Sequence, residues 1–338
     1  MEFALLYDGQ KCFSGWGDSQ SSLEPIGRSF WVNDFKLSDP SPWKTFANFE
    51  ESSEIPTRFL PYLKQPSDWK FFEKNQFKTL WDSAHAQMKE SSLQKIVLAL
   101  SDKGQSLHAR ALLPSFKNRR GFFYAFNIRD EVVWGFTPEL FFRKNSSSLE
   151  TVALAGTYSR ETFQKENNLL NKNFLQRQKA LDLEHSLVVE YFQSFAQKLK
   201  LSLEHSERQR LEQGNIVHLQ TKIHLSGFKG DNLNNFISEL HPTPALGVFP
   251  KNAESLEALH DLRRQADLPH YYGAPFGFSD SKSALFVVMI RGHFINNQTT
   301  NQILKRSIGV GVTQSSSFEE EWAELEQKRK SMELLWNL

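Results

Sequence analysis

The chain of 338 residues carries a single cysteine, Cys12, so neither an internal disulfide nor a cysteine-built metal cage can form. That usage fits a reducing compartment, and the expected location is cytoplasmic. No apolar run reaches the roughly 18 residues of a membrane span. The start, "MEFALLYDGQ", lacks the basic residues and long apolar segment of a signal peptide. Charge of one sign is missing too: 40 Lys and Arg stand against 39 Asp and Glu, a formal net charge of +1. Such balance gives no electrostatic footprint for nucleic acid or a membrane surface, and neither is expected as a partner. What the chain has in quantity is phenylalanine, 29 residues, read here as an aromatic-filled core. The length allows one large domain or two ordinary ones.

Pro and Ser cluster at "LSDPSPWK" (38–44) and "SSEIPTRFLPYLKQPSDW" (52–69), which read as loops or short turns. Strand-like runs follow at 94–100, 121–128, 131–136, 139–144 and 149–155, close enough together to suggest antiparallel meanders rather than crossovers. A period near 3.6 predicts a long helix over about 164–200. Further strands are expected at 215–225, 284–295 and 302–312, then a closing helix from Ser317, whose first turn holds Glu319 to Glu321. The fold class is α+β, a single large domain of mostly antiparallel sheet with helices. The stretch "ELHPTPALGVFP" (239–250) fits neither a helix nor a central strand, because its three prolines remove donors and fix φ. It is a stiff loop, yet a largely apolar one.

Several polar residues interrupt apolar patterns. Glu184 lies on the stripe Leu181, Val188, Phe192, Phe195 and Leu199 of the long helix. A carboxylate there is either paired, protonated or metal-bound, or it bends out to solvent at the helix edge. Glu324, Lys328, Met332 and Leu335 share a face of the last helix. Glu324 and Lys328 make either a surface i,i+4 pair or part of a site. Two inward glutamates from separate helices would suit a hard cation such as Mg²⁺. Lys95 opens the run "KIVLAL": an exposed strand end, or, if enclosed, an amine able to act as a base. Glu139 follows "GFTP" at the entrance of "LFFRK", either as an edge gatekeeper or as a carboxyl tuned for acid catalysis. Arg291 ends "LFVVMIR", where its guanidinium could fork onto a carboxylate. Gly309 and Gly311 in "GVGV" weaken a strand unless something approaches the backbone closely.

Taken in order, "KIVLAL", "TPELFFR", "ALAGT", "LEHSLVVEYF", "VHLQTKI", "LHPTPALG", "YYGAPFG", "FVVMIR", "IGVGV" and "EEEWAELEQK" resemble the chorismate-binding enzyme family. The matching runs are collinear from about residue 90 to the C-terminus. Residues 1–89 are assigned to the same single domain, 1–338, because the family's domain usually includes such a segment. The resemblance implies that Glu184 and Glu324 hold Mg²⁺, which in turn holds the substrate's ring carboxylate. It implies that Lys95 activates a water and that Glu139 protonates the departing C4 hydroxyl. Arg291, Lys328 and the amides near Gly309 and Gly311 would grip the second, enolpyruvyl carboxylate of chorismate, with Tyr272, Gly156 and Thr157 lining the site. Ala245 stands where ammonia-using branches carry a threonine, and Ala155 where a nucleophilic lysine occurs in aminodeoxychorismate synthases. Water is therefore the expected nucleophile, and the loop 239–250 a pocket wall.

The implied activity is that of an isochorismate synthase, a cytoplasmic isomerase with no obligate protein partner, serving menaquinone or siderophore synthesis, with menaquinone favoured on general prevalence. A salicylate synthase, which goes on to eliminate pyruvate, and a non-catalytic relative are the alternatives. The second of these is raised by departures from the family pattern: Gln265, Pro269 and His270 replace an expected Glu and Arg-Gly, "YSR" lacks an Arg-Gly ending, and "SKS" lacks an acidic residue before its strand.

Overall fold

The computed structural model describes residues 1–109, 120–145, 148–159, 172–213, 216–228, 232–296 and 303–336. Its first strand shows how the chain builds sheet: Phe3–Tyr7 (β1) is buried at every position, so it needs a partner on each edge. Cys12–Ser22 (β2), Ser29–Val32 (β3) and Trp43–Ser52 (β4) follow. The proline-rich segment read as loops holds more than turns, for it contains a 3₁₀ helix at Thr57–Tyr62 and a strand at Lys64–Lys70 (β5). Pro66 is tolerated within β5 because, among the described residues, that strand pairs on one side only. A helix at Lys74–Glu90 (α1) starts with a reciprocal capping box between Glu73 and Gln76.

The middle of the chain runs Lys95–Ala109 (β6), Phe122–Ile128 (β7), Glu131–Thr137 (β8), Leu140–Asn145 (β9) and Ser148–Ser159 (β10). The helix Lys172–Lys198 (α2) matches the expected long helix, whose proposed first turns lie outside the described residues. After it come Ser202–His205 (β11), Gln209–Gln213 (β12), Ile216–Ser226 (β13), Leu233–Leu240 (α3), the two-residue strand Val248–Phe249 (β14) and Ala253–Gln265 (α4). The chain closes with Pro275–Ser279 (β15), Ser283–Val288 (β16), Gly292–Asn296 (β17), Leu304–Thr313 (β18) and Phe318–Trp336 (α5). The run 284–295, read from its apolar pattern as one stretch, is thus two strands. It breaks at residues 289–291, where Arg291 takes φ 52° and the chain changes partners.

All described ladders are antiparallel, and they link the strands into one continuous path. That path runs β5–β6–β18–β17–β8–β7–β1–β2–β4–β3–β15–β16–β9–β10–β13, with β14 also on β6 and with β11 and β12 also on β13. The expected single α+β domain is what forms. One aromatic-rich core lies among β1, β6, β7, β15 and β18 under α1, α4 and α5. A second lies under α2 and α3 and includes Phe142, Phe192, Phe236 and Phe286. Among the described residues no helix is long and apolar enough to cross a membrane.

Candidate active site

Strands from opposite stretches of the sheet path, with α2, α5 and the 239–250 loop, enclose a cavity of about 730 Å³, part of it open to solvent. Of the residues singled out from the sequence, Glu139, Glu184, Ala245, Tyr272, Arg291, Gly309, Gly311, Glu324 and Lys328 line it. The loop is indeed a wall, contributing Ala245 and Leu246. Its backbone is folded tightly on itself, since a Cβ on Gly247 would come within 2.8 Å of the Pro242 ring.

One end of the cavity is acidic. Glu184 does not bend out to solvent: its Oε1 lies 3.0 Å from the Lys95 Nζ, and its Oε2 accepts the Gly156 N–H at 3.1 Å. A bulge in the β10–β13 ladder between Ala155 and Thr157, with Gly156 at φ 78°, frees that N–H from the sheet and turns it to the carboxylate. His185 holds the bulge from behind, bonded through Nδ1 to the Ala155 carbonyl and through Nε2 to Thr221 Oγ1. The Thr157 side chain lies outside the described residues. Lys95 is fully buried, so it is no exposed strand end, and it sits against Glu184 rather than on the cavity surface. Gly311 leaves room for both: a Cβ there would meet Glu184 Oε1 at 2.4 Å and Lys95 Cε at 2.8 Å.

Glu324 pairs with Lys328 at 2.7 Å, the i,i+4 contact expected from spacing, but inside the cavity with both side chains largely enclosed. A third acid stands one helical turn away. Burial, followed by the nearby Glu324 and Glu184 carboxylates, pushes the Glu321 carboxyl well above its usual range. Three carboxylates so close repel one another, and a hard divalent cation would relieve that repulsion. Among the described residues no three such side chains already converge at metal-ligand spacing, because Glu184 and Glu324 are turned to their lysines.

Two cations line the same cavity, one of them the Lys328 already paired with Glu324. Arg291 donates from Nη2 to His218 Nε2 at 3.3 Å, and Lys328 donates to the Gly309 carbonyl at 2.8 Å. Burial among cations pushes the His218 imidazole far down, so the ring is neutral and its Nε2 is an acceptor. The Tyr272 hydroxyl reaches over Gly309, where a Cβ would come within 2.8 Å of it. Glu139 also lines the cavity, its backbone pinned on both sides: its N–H donates to Thr137 Oγ1, and its carbonyl accepts from Val288 N–H. Burial raises its carboxyl to about 7 despite opposing fields from Lys95, Lys328 and Arg291. It is therefore an acid near neutrality that holds a proton within reach of the cavity.

The sequence reading missed Glu321 and His218. Glu321 reads from the sequence as helix-dipole filler, although its i,i+3 spacing to Glu324 puts it on the same face. His218 was passed over inside the apolar run "IVHL", where an enclosed imidazole was itself a signal. The family departures fall outside the cavity lining: Gln265 ends α4, and Pro269 and His270 lie in a turn. That turn is held by Arg263, which donates to the Tyr272 carbonyl at 2.8 Å. Asp280 begins the turn ahead of β16 and accepts from the Lys282 and Ser283 N–H groups. Arg160 of "YSR" lies outside the described residues.

Residues 41–335 match the family model described as "Chorismate binding enzyme". Isochorismate synthase MenF of Pasteurella multocida is 29% identical over 199 residues, 57% of this chain and 44% of that protein. Isochorismate synthase MenF of Bacillus subtilis is 25% identical over 329 residues, 94% of this chain and 63% of that protein. The chain thus spans under two thirds of the length of these curated relatives. The solved structure of MenF, the menaquinone-specific isochorismate synthase of Escherichia coli, superposes with a TM-score of 0.72 at 19% identity. That superposition covers 99% of this chain and 89% of that one, and it establishes a shared fold.

Proposed function

The chain belongs to the chorismate-binding enzymes, and from that premise we propose that it is an isochorismate synthase. The observation that carries the reading is one cavity lined together by the Glu184 and Glu324 carboxylates, the Arg291 and Lys328 cations and the buried Glu139 carboxyl. Chorismate has two carboxylates, a C4 hydroxyl and a conjugated ring. Arg291 and Lys328, with the backbone at Gly309 and Gly311, suit the enolpyruvyl carboxylate. Glu184 and Glu324, with Glu321 beside them, would hold Mg²⁺. When bound, the cation supplies charge compensation and an anchor for the ring carboxylate. Lys95 takes a proton from a water whose oxygen bonds to C2. The ring double bonds shift, the C4–O bond breaks, and Glu139 gives its proton to the departing hydroxyl. One water enters and one leaves, so the net reaction is an isomerisation. Positioning by charged groups of both signs and proton transfer at two points are the terms that lower the barrier.

Ala245 and Ala155, both on the cavity wall, carry no group that could attack the ring from those positions, which supports water as the nucleophile. Glu139, Arg291 and Lys328 on one cavity wall weigh against a non-catalytic relative. We infer a cytoplasmic location from the lone, buried Cys12. Menaquinone synthesis is taken as the use of the product on general prevalence, with siderophore synthesis as the alternative. The test is incubation with chorismate, with and without Mg²⁺, followed by chromatography and a pyruvate assay. Mg²⁺-dependent isochorismate supports the reading. Pyruvate above the uncatalysed background would assign the chain to salicylate synthesis instead, and binding without turnover would make it a non-catalytic relative.

A further inference from the structure

Arg291 sits where the chain leaves β16, paired with β15 and β9, and enters β17, paired with β8 and β18. That corner needs φ 52°, a conformation suited to glycine, yet an arginine occupies it with a glycine only at the next position. Something must hold the corner, and the candidate lies outside the cavity. Tyr124, on β7, is fully buried, and its hydroxyl donates to the Ile290 carbonyl at 2.9 Å. Two glycines clear the way for it: a Cβ on Gly135 would lie 2.5 Å from the hydroxyl oxygen, and one on Gly292 only 2.2 Å. Burial drives the phenol well above its usual range, so the group remains a donor. From inside the cavity, His218 Nε2 accepts the guanidinium N–H at 3.3 Å. The peptide before Arg291 is thus held from behind while its side chain is held from in front.

We propose that Tyr124, behind the cavity wall, and His218, within it, are positioning residues that keep Arg291 at its corner and aim its guanidinium at a substrate carboxylate. The aim at a carboxylate rests on the proposed function; the holding of the corner does not. Tyr124 touches no substrate, so its influence must pass through Arg291. A cycle of Tyr124→Phe, Arg291→Ala and the double variant reads this directly. Tyr124→Phe is expected to raise KM for chorismate about tenfold with kcat changed less than about twofold, the mark of lost uniform binding. In the Arg291→Ala background the same change should move KM less than twofold. An unchanged KM in the parent, or an equal tenfold rise in both backgrounds, overturns the proposal. His218→Gln, which keeps an acceptor, should leave KM close to the parent, and His218→Leu should raise it. Equal effects of the two overturn the His218 half, and this pair carries the test should Tyr124→Phe fail to fold.

Failure of the function reading is separable. If the parent protein neither binds nor converts chorismate, crystal structures of Tyr124→Phe and His218→Leu still decide the matter. Departure of Arg291 from its corner conformation or of its guanidinium from its present direction supports the clamp, and an unmoved Arg291 in both variants refutes it.

Discussion

Gly311→Ala is the smallest change that should separate catalysis from folding in this molecule. Gly311 pairs with Val97 across the β18–β6 ladder, and it lies outside the left-handed backbone region. An added methyl would stand 2.4 Å from Glu184 Oε1, 2.8 Å from Lys95 Cε and 3.2 Å from Lys95 Nζ. Ordinary contact needs about 3.5 Å, so the carboxylate oxygen must retreat by about 1 Å. All three nearest atoms belong to side chains rather than to backbone, so the sheet itself has no cause to move. Overpacking costs about 1–3 kcal/mol, and the reduced freedom of the unfolded chain offsets about 0.4–1 of that. The net loss of stability should stay near 2 kcal/mol or below. The 3.0 Å Lys95–Glu184 pair, however, cannot keep its present geometry. A displacement of about 1 Å at a reacting centre costs on the order of 100-fold in rate. Isochorismate formation followed by chromatography, beside a calorimetric melting curve, should show kcat/KM down about 100-fold in a folded protein. A folded Gly311→Ala that turns over within threefold of the parent would refute the placement of Lys95 and Glu184 in the chemistry. Gly309→Ala is the contrast: its methyl would meet the Leu98 carbonyl at 3.0 Å, a backbone atom of β6 that cannot swing aside, so stability should fall as well.

Glu139→Gln removes the transferable proton and should lower kcat by about 10²–10⁴. With that carboxyl raised to about 7, the parent's rate should decline as pH climbs through about 7 and the acid ionises; a level profile to pH 8.5 argues against Glu139 as the acid. The same shift makes the fold less stable as pH rises from about 4.3 to about 7, where the folded carboxyl keeps a proton that the unfolded chain has released, and the loss levels off above that. Glu184→Gln and Glu324→Gln should each shift the Mg²⁺ activation curve to at least tenfold higher concentration, and an unmoved midpoint removes the residue from the cation site. Lys95→Ala should abolish turnover with folding intact, and near-normal turnover would disprove its role as base.

Periodicity made much of this architecture readable. The strand pattern from 94 to 155 and the helix carrying Glu184 were legible because burial on one face imposes a repeat. The strand at Lys64–Lys70 was not, because Pro66 reads as a breaker and its tolerance depends on an unpaired edge that only the assembled sheet reveals. The break at Arg291 was hidden for a related reason: apolar residues continue through the corner, and the change of partners is long-range information. Glu184 and Glu324 could be suspected one at a time from misplaced charge. Their common cavity, and the part Glu321 plays in it, depend on three-dimensional approach between helices far apart in the chain.

The two-residue strand β14 joins the 239–250 loop to β6 at Lys95 and Ile96, while β18 grips the same residues from the other edge at Thr313 and Val312. Bonds from Gln94 N–H to the Phe249 carbonyl and from Val97 N–H to the Gly247 carbonyl extend that seam. Wall and amine therefore behave as one rigid part. Grafting a relative's loop to redirect the enzyme toward ammonia would drag the lysine along with it, so chimeras that exchange the loop alone should come out inert rather than reprogrammed. A working exchange would have to carry the first residues of β6 in the same cassette.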